Sequence, residues 1–143
     1  MKKIIRRSTC PISTTLDILG DKWTLLIIRD LMFKGKRTYG EFLQSEEKIA
    51  TNILADRLLI LEKNGIVEKR GFPGNKVKNL YRLTPKGIDL MPVLFDIILW
   101  GDKYFEIPGR VHRLAGEIRK DRNGMAKEIS KRLAASDAGS LTK

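Results

Sequence analysis

The chain of 143 residues has one cysteine and one histidine. An internal disulfide is therefore excluded, and so is a Cys/His zinc site, which needs several such ligands. No apolar run approaches the ~18 residues of a membrane-spanning helix. The N-terminal MKKIIRRS is charged and lacks the apolar stretch of a signal peptide. A cytoplasmic protein with no membrane partner is expected. Enzyme signatures are missing too: there is no Gly-rich phosphate loop, no metal-ligand spacing, and no Ser or Cys with a catalytic partner, the sole histidine being His112. No catalytic residue, metal or cofactor is expected.

Positive charge, by contrast, is in surplus. Lys and Arg number 28 against 17 Asp and Glu, a formal net charge of +11. Such an excess favours an anionic partner, nucleic acid ahead of an anionic membrane. Its distribution is uneven: residues 1–9 carry +4, 10–66 are neutral, 67–83 carry +4, 84–106 carry −2 and 107–143 carry +5. This pattern suggests a basic arm (1–9), a domain (10–106) and a basic, partly helical tail (107–143).

Within the domain the punctuation is helical at first. Pro11 suits a first helical position, because its missing N–H would be unpaired there, and Gly20 suits a stop. Asp21 is a good cap for a second helix carrying Trp23, Leu26, Ile27 and Leu31. Thr38 with Glu41 forms a capping box for a short helix to about Gln44. After a polar turn, Leu54, Leu58 and Leu61 mark a helix from Thr51 to about Asn64, closed by Gly65. The period then changes to alternation. Val67 to Arg70 and Leu80 to Leu83 read as two strands joined by a long basic loop, Gly71 to Asn79. Thr84 and Pro85 start a further helix toward Phe105, which Pro92 should kink or divide.

That last helix offers little polar surface. Leu94, Ile97, Ile98, Trp100, Tyr104 and Phe105 cover far more than the ~100° stripe that one core requires. A second buried face is implied, and in so small a domain it fits a second protomer, with Leu16 of the first helix alongside. A long central core helix is the competing explanation. Beyond Pro108, Val111, Leu114, Ile118, Met125, Ile129 and Leu133 keep a helical spacing in what reads as an appendage, with SDAGSLTK at its end disordered.

Four helices, a hairpin and a further helix in this order describe a mainly α winged helix-turn-helix. The second helix of the turn pair can enter a major groove while the hairpin lies along phosphates. A neutral core with +4 on the hairpin agrees, since phosphate contacts supply charge-driven affinity.

Specific residues carry a resemblance. Cys10-Pro11, Thr15-Leu16-Asp17, Gly20 to Trp23, Leu25 to Leu31, Arg57-Leu58, Leu61-Glu62, Gly65-Ile66-Val67, Leu83-Thr84 with Gly87, Pro92-Val93-Leu94 and Trp100-Gly101 together resemble the HxlR-type, MarR-related transcriptional regulators. The resemblance spans about residues 10–106. It implies a homodimeric regulator that binds double-stranded DNA, dimerises through its terminal helices and meets two half-sites. Carried onto this sequence, it puts Thr51, Asn52, Ala55 and Asp56 on the base-reading surface, Asn52 having the amide that suits adenine. Asp56 would accept from a cytosine amine or hold Asn52 or Arg57 in place. Thr38, Tyr39 and Lys48 would touch the backbone, and Lys69, Arg70, Asn75, Lys76 and Lys78 would form the wing. Where the family has a Ser-like cap before the recognition helix this chain has Ala50, so capping is lost or moves to Thr51.

The resemblance also gives Cys10 a role, since some HxlR-type proteins sense electrophiles or oxidants through an N-terminal cysteine. A helix N-terminus with Arg6 and Arg7 nearby is the positive setting that reactive thiols use. The alternative is an inert packed thiol. A basic protein-interaction or membrane-surface module, or a non-specific architectural DNA binder, would also account for the charge. The operator, the effector and the sign of regulation are not encoded in any motif.

Overall fold

Each helix begins where local chemistry satisfies its first N–H groups. The computed structural model describes residues 8–72 and 74–141; the side chains of Phe72, of residues 75–77 and of residues 137–141 lie outside that description, as does the basic arm up to residue 7. Helix α1 (Pro11–Leu19) starts on its proline behind Cys10 and ends at Gly20. For α2 (Lys22–Phe33), the Asp21 carboxylate accepts the N–H groups of Trp23 and Thr24, both at 3.0 Å. Helix α3 (Tyr39–Leu43) opens on the expected capping box: Thr38 Oγ1 accepts the Glu41 N–H at 3.2 Å, and the Glu41 carboxylate accepts the Thr38 N–H at 3.0 Å. Helix α4 (Thr51–Lys63) has Ala50 at its N-cap and no side-chain cap bond, so the cap is lost rather than moved. Gly65, at φ +71°, turns the chain out of α4 through the left-handed region that glycine adopts without strain.

The hairpin is longer than the sequence pattern suggested. Strand β1 (Val67–Phe72) pairs antiparallel with β2 (Asn75–Leu83), in register from Val67 opposite Leu83 to Gly71 opposite Asn79, with an irregularity between Gly71 and Phe72. The long loop expected over residues 71–79 is thus mostly strand. Lys76, Val77 and Lys78 alternate polar and apolar as a strand does, and the chain reverses around Gly74 at φ +78°. At its base the hairpin is tied to the helices, because the Tyr81 N–H donates to the Arg37 carbonyl at 2.8 Å.

Pro92 divides the next segment into α5 (Pro85–Ile88) and α6 (Met91–Tyr104). Thr84 caps α5 by accepting the Gly87 N–H at 3.2 Å. Gly87 is obligatory there: a Cβ would stand 2.3 Å from the Ile66 carbonyl oxygen and 2.9 Å from Leu83. The core gathers Ile27, Ile28 and Leu31 of α2, Phe42 of α3, Leu54, Leu58 and Leu61 of α4, Val67 and Leu83 of the hairpin, and Leu94 and Phe95 of α6. Burying each such side chain contributes on the order of 1.5–3 kcal/mol, which holds α4 rigidly against α2.

The segment after Pro108 is part of this body, not an appendage. Helix α7 (Gly109–Lys120) packs on α6, and α8 (Arg122–Leu141) returns across α2. Ala115, Ile118 and Ile129 are fully buried, with Leu114, Met125 and Leu133 packed beside them. The apolar stripe read from the sequence is therefore correct, and it is the reason the segment docks. Arg119 pairs with Asp102 at 3.0 Å and Arg122 with Asp96 at 2.8 Å, fixing both helices to α6. Helix continues through SDAGSL to Leu141, where disorder was expected. Among the described residues, no helix is long and apolar enough to cross a membrane.

Candidate nucleic-acid interface

The turn between α3 and α4 is braced by an ionic network that no spacing in the sequence marks. Asp30, buried within the apolar α2, accepts from Ser45 Oγ at 2.5 Å and from Arg29 at 2.8 Å. Arg29 reaches onward to grip both oxygens of Glu47, at 2.6 and 2.8 Å, and Lys36 Nζ donates to Ser45 Oγ at 2.7 Å. The only signal in the sequence was an acid embedded in the run Leu-Leu-Ile-Ile-Arg-Asp-Leu-Met. Hydrogen bonds from Arg29 hold the Glu47 carboxyl at about 2, well below its usual 4.5. Because the folded value is depressed, the stabilisation is complete above pH 4.5 and is lost as pH falls from there toward 2. Glu47→Gln should therefore flatten this part of the stability profile and cost about 1 kcal/mol or less at neutral pH, given the solvent around Glu47. Urea unfolding of both proteins between pH 2 and 7 checks it; parallel profiles would refute it.

On this braced turn, Lys48 stands exposed at φ +55°. The outer face of α4 presents Thr51, Asn52, Ala55 and Asp56 to solvent, while Leu54, Leu58 and Leu61 face inward. Asp56 is in contact with Arg57, whose guanidinium also donates to Asp21 at 2.9 Å, tying α4 to the start of α2. Thr38 and Tyr39 have internal partners that the sequence did not reveal. The Thr38 hydroxyl is held in its capping box, and the Tyr39 hydroxyl donates to the Thr51 carbonyl at 2.5 Å. Tyr39 thereby fixes the otherwise uncapped start of α4.

An open groove of about 780 Å³ lies between α3 and β2, lined by Lys34, Lys36, Thr38, Tyr39, Glu41 and Lys78 among others. Lys69 is exposed on β1, and Arg70 is paired with Glu68 at 3.3 Å. Lys78 is exposed on β2; the side chains of Asn75 and Lys76 lie outside the described residues. Cys10 is exposed, its N–H donating to Ser8 Oγ at 3.2 Å.

Far from this surface, α6 sorts its apolar residues into two faces. Leu94 is buried against the protein's own core, which removes it from the residues expected at a free surface, and Ile98 is half-buried on the same side. The helix spacing explains it: Met91, Leu94, Phe95 and Ile98 lie on one stripe. Ile97, Trp100, Tyr104 and Phe105 remain outside, Trp100 being 60% exposed, and the Trp100 ring lies 5.1 Å from Tyr104 and 5.7 Å from Phe105. Leu16 on α1 is 53% exposed.

Comparison with known proteins places these features in context. The pattern of the HxlR-like helix-turn-helix family matches residues 18–108. The HTH-type transcriptional regulator YodB of Bacillus subtilis is 38% identical over 101 residues, 70% of this chain and 88% of YodB, and the regulator YdeP of the same organism is 36% identical over 95 residues, 66% of this chain and 73% of YdeP. The solved reduced form of YodB superposes with a TM-score of 0.57 at 34% identity, covering 71% of this chain and all of that one. The redox regulator HypR in its oxidised form gives 0.60 at 29% identity, with 68% of this chain and all of that one covered.

Proposed function

Because the chain belongs to the HxlR-like helix-turn-helix family, whose named relatives are transcriptional regulators, we propose that it binds duplex DNA sequence-specifically as a homodimer. The observation that carries this reading is the outer face of α4. Thr51, Asn52, Ala55 and Asp56 are exposed on a helix fixed from behind by its leucines and from its start by Tyr39. A helix so held can enter the major groove, with Asn52 offered to an adenine edge and Asp56 positioning Arg57. Lys48, Lys69, Arg70, Asn75, Lys76 and Lys78 then meet phosphates, and the groove beneath β2 gives the backbone a positive path.

The test is selection from a random duplex pool, followed by comparison of wild type with Asn52→Ala. A two-fold operator is expected, with half-sites about 34 Å apart or a multiple of that. Asn52→Ala should change discrimination at one base pair by about 1–3 kcal/mol and reorder the preferred sequences. An unchanged ranking would show that Asn52 does not read bases.

Homodimerisation rests on Leu16, Ile97, Trp100, Tyr104 and Phe105, an exposed apolar set of the kind that marks an interaction site. Two of the compared structures are the reduced form of YodB and the oxidised form of the redox regulator HypR, and the exposed thiol of Cys10 suits an oxidant or electrophile response here. With one cysteine, a disulfide within one protomer is excluded, and oxidation would lead to sulfenic acid, a mixed disulfide with a small thiol, or a Cys10–Cys10 bond between protomers. Cys10→Ser should abolish any oxidant-dependent loss of DNA binding, measured by gel shift with and without diamide; equal responses from both proteins would remove Cys10 as the sensor.

A further inference from the structure

Residues 107–143 carry the largest net charge of the five segments, +5, and no part of the winged helix accounts for it. The family match ends at residue 108, and all of YodB is covered by 71% of this chain. Helices α7 and α8 therefore lie beyond the part of the chain that the family pattern describes, although Ile118 and Ile129 belong to its core.

The charges of these helices have two fates. Arg119 and Arg122 are spent inside the protein, on Asp102 and Asp96. Lys127, Lys131 and Arg132 of α8 are exposed and make no ion pair among the described residues. Helix geometry puts Lys127 and Lys131 on one row, opposite the buried Ile129, with Arg132 on the flank beside Glu128. The far part of α8 reaches the base of the hairpin. Arg37 donates to the Ser136 carbonyl at 2.9 Å, and Leu133 and Ser136 line a crevice with Tyr81 and Arg82 at the hairpin base. Arg37 directly precedes Thr38, so α8 ends beside the groove that Lys34, Lys36 and Lys78 make positive.

We propose that α8 is an additional DNA-backbone contact, with Lys127, Lys131 and Arg132 meeting phosphates that flank the half-site outside the reach of α4 and the wing. This rests on the DNA-binding reading above. Phosphate is the partner that fits, because the row is cationic and carries no base-reading amide.

The experiment uses the full chain and the duplex chosen by selection, in two lengths: bare half-sites, and the same with about one helical turn, ~10 base pairs, added at each end. Wild type should bind the longer duplex more tightly, and a Lys127→Gln, Lys131→Gln, Arg132→Gln variant should lose that gain. Its plot of log affinity against log salt on the longer duplex should be shallower by about 2–3. On the bare duplex the two proteins should agree, and Lys127→Arg with Lys131→Arg should behave as wild type. Equal salt slopes and equal affinities on the longer duplex overturn the inference. So does a variant that keeps both but loses binding to vesicles of anionic phospholipid, which would make α8 a membrane contact. A wild-type chain that selects no duplex fails at the earlier reading instead, and this inference falls with it.

Discussion

Glutamate at Ile97 and Trp100 together is expected to leave a folded monomer whose affinity for a two-half-site operator is lower by about 10²–10⁴-fold. The magnitude is that of losing a second, linked binding event: a dimer holding one half-site presents its other reading helix at high effective concentration, and a monomer does not. The fold should survive because both side chains point outward, while Met91, Leu94 and Phe95 on the opposite stripe do the internal packing. The interface should not survive, because a carboxylate pressed into the aromatic cluster of Trp100, Tyr104 and Phe105 would be buried without a partner. Sedimentation and operator titration on one preparation read the two effects together. A variant that stays dimeric, or a monomer that binds the full operator as tightly as wild type, would falsify the proposed interface.

The second large effect concerns stability. Asp30→Ala removes the acceptor shared by Arg29 and Ser45: the buried Ser45 hydroxyl loses its acceptor, while Arg29 keeps Glu47. Breaking a buried ionic pair by deleting one member costs about 3–5 kcal/mol, which for a chain of this size lowers Tm by roughly 10 °C. Asp30→Asn keeps an acceptor oxygen for Ser45 and should lose less. The turn between α3 and α4 should loosen first, so hydrogen exchange at Ser45 to Lys48 ought to accelerate more than at the Leu54–Leu61 core. A loss below about 1 kcal/mol would mean that the network is no more than a surface pairing.

Much of this architecture is written in short-range chemistry. Asp21, Thr38 with Glu41, Thr84 with Pro85, and Pro92 mark helix starts because each satisfies or omits a specific backbone N–H, and such rules need no knowledge of the rest of the fold. The outward residues of α4 were legible for the same reason, since the leucines at 54, 58 and 61 fix which side is left. Relations across distance were less visible. Pro73-Gly74-Asn75 suggested a wide loop, yet the chain reverses around Gly74 and β2 resumes at once, because cross-strand pairing extends the hairpin wherever alternation allows. On α6, apolar residues on every side gave no means of telling Leu94 from Ile97; only the position of α2 decides that. The partners of Tyr39, Arg29 and Asp30 depend on where the chain folds back, which no spacing along the sequence records.

The docking of α8 has a bearing on how the protein is made. Ile129 fills a core whose other members begin at Leu19, so the outer side of α2 stays uncovered during synthesis until α8 has left the ribosome. Domains generally form from the N-terminus onward as the chain emerges, and here α4 and the hairpin can assemble while that apolar side is still open. A product broken off near residue 108 would keep every residue proposed to meet bases yet expose the surface meant for Ile118 and Ile129. Such a fragment is the kind of species that proteases clear.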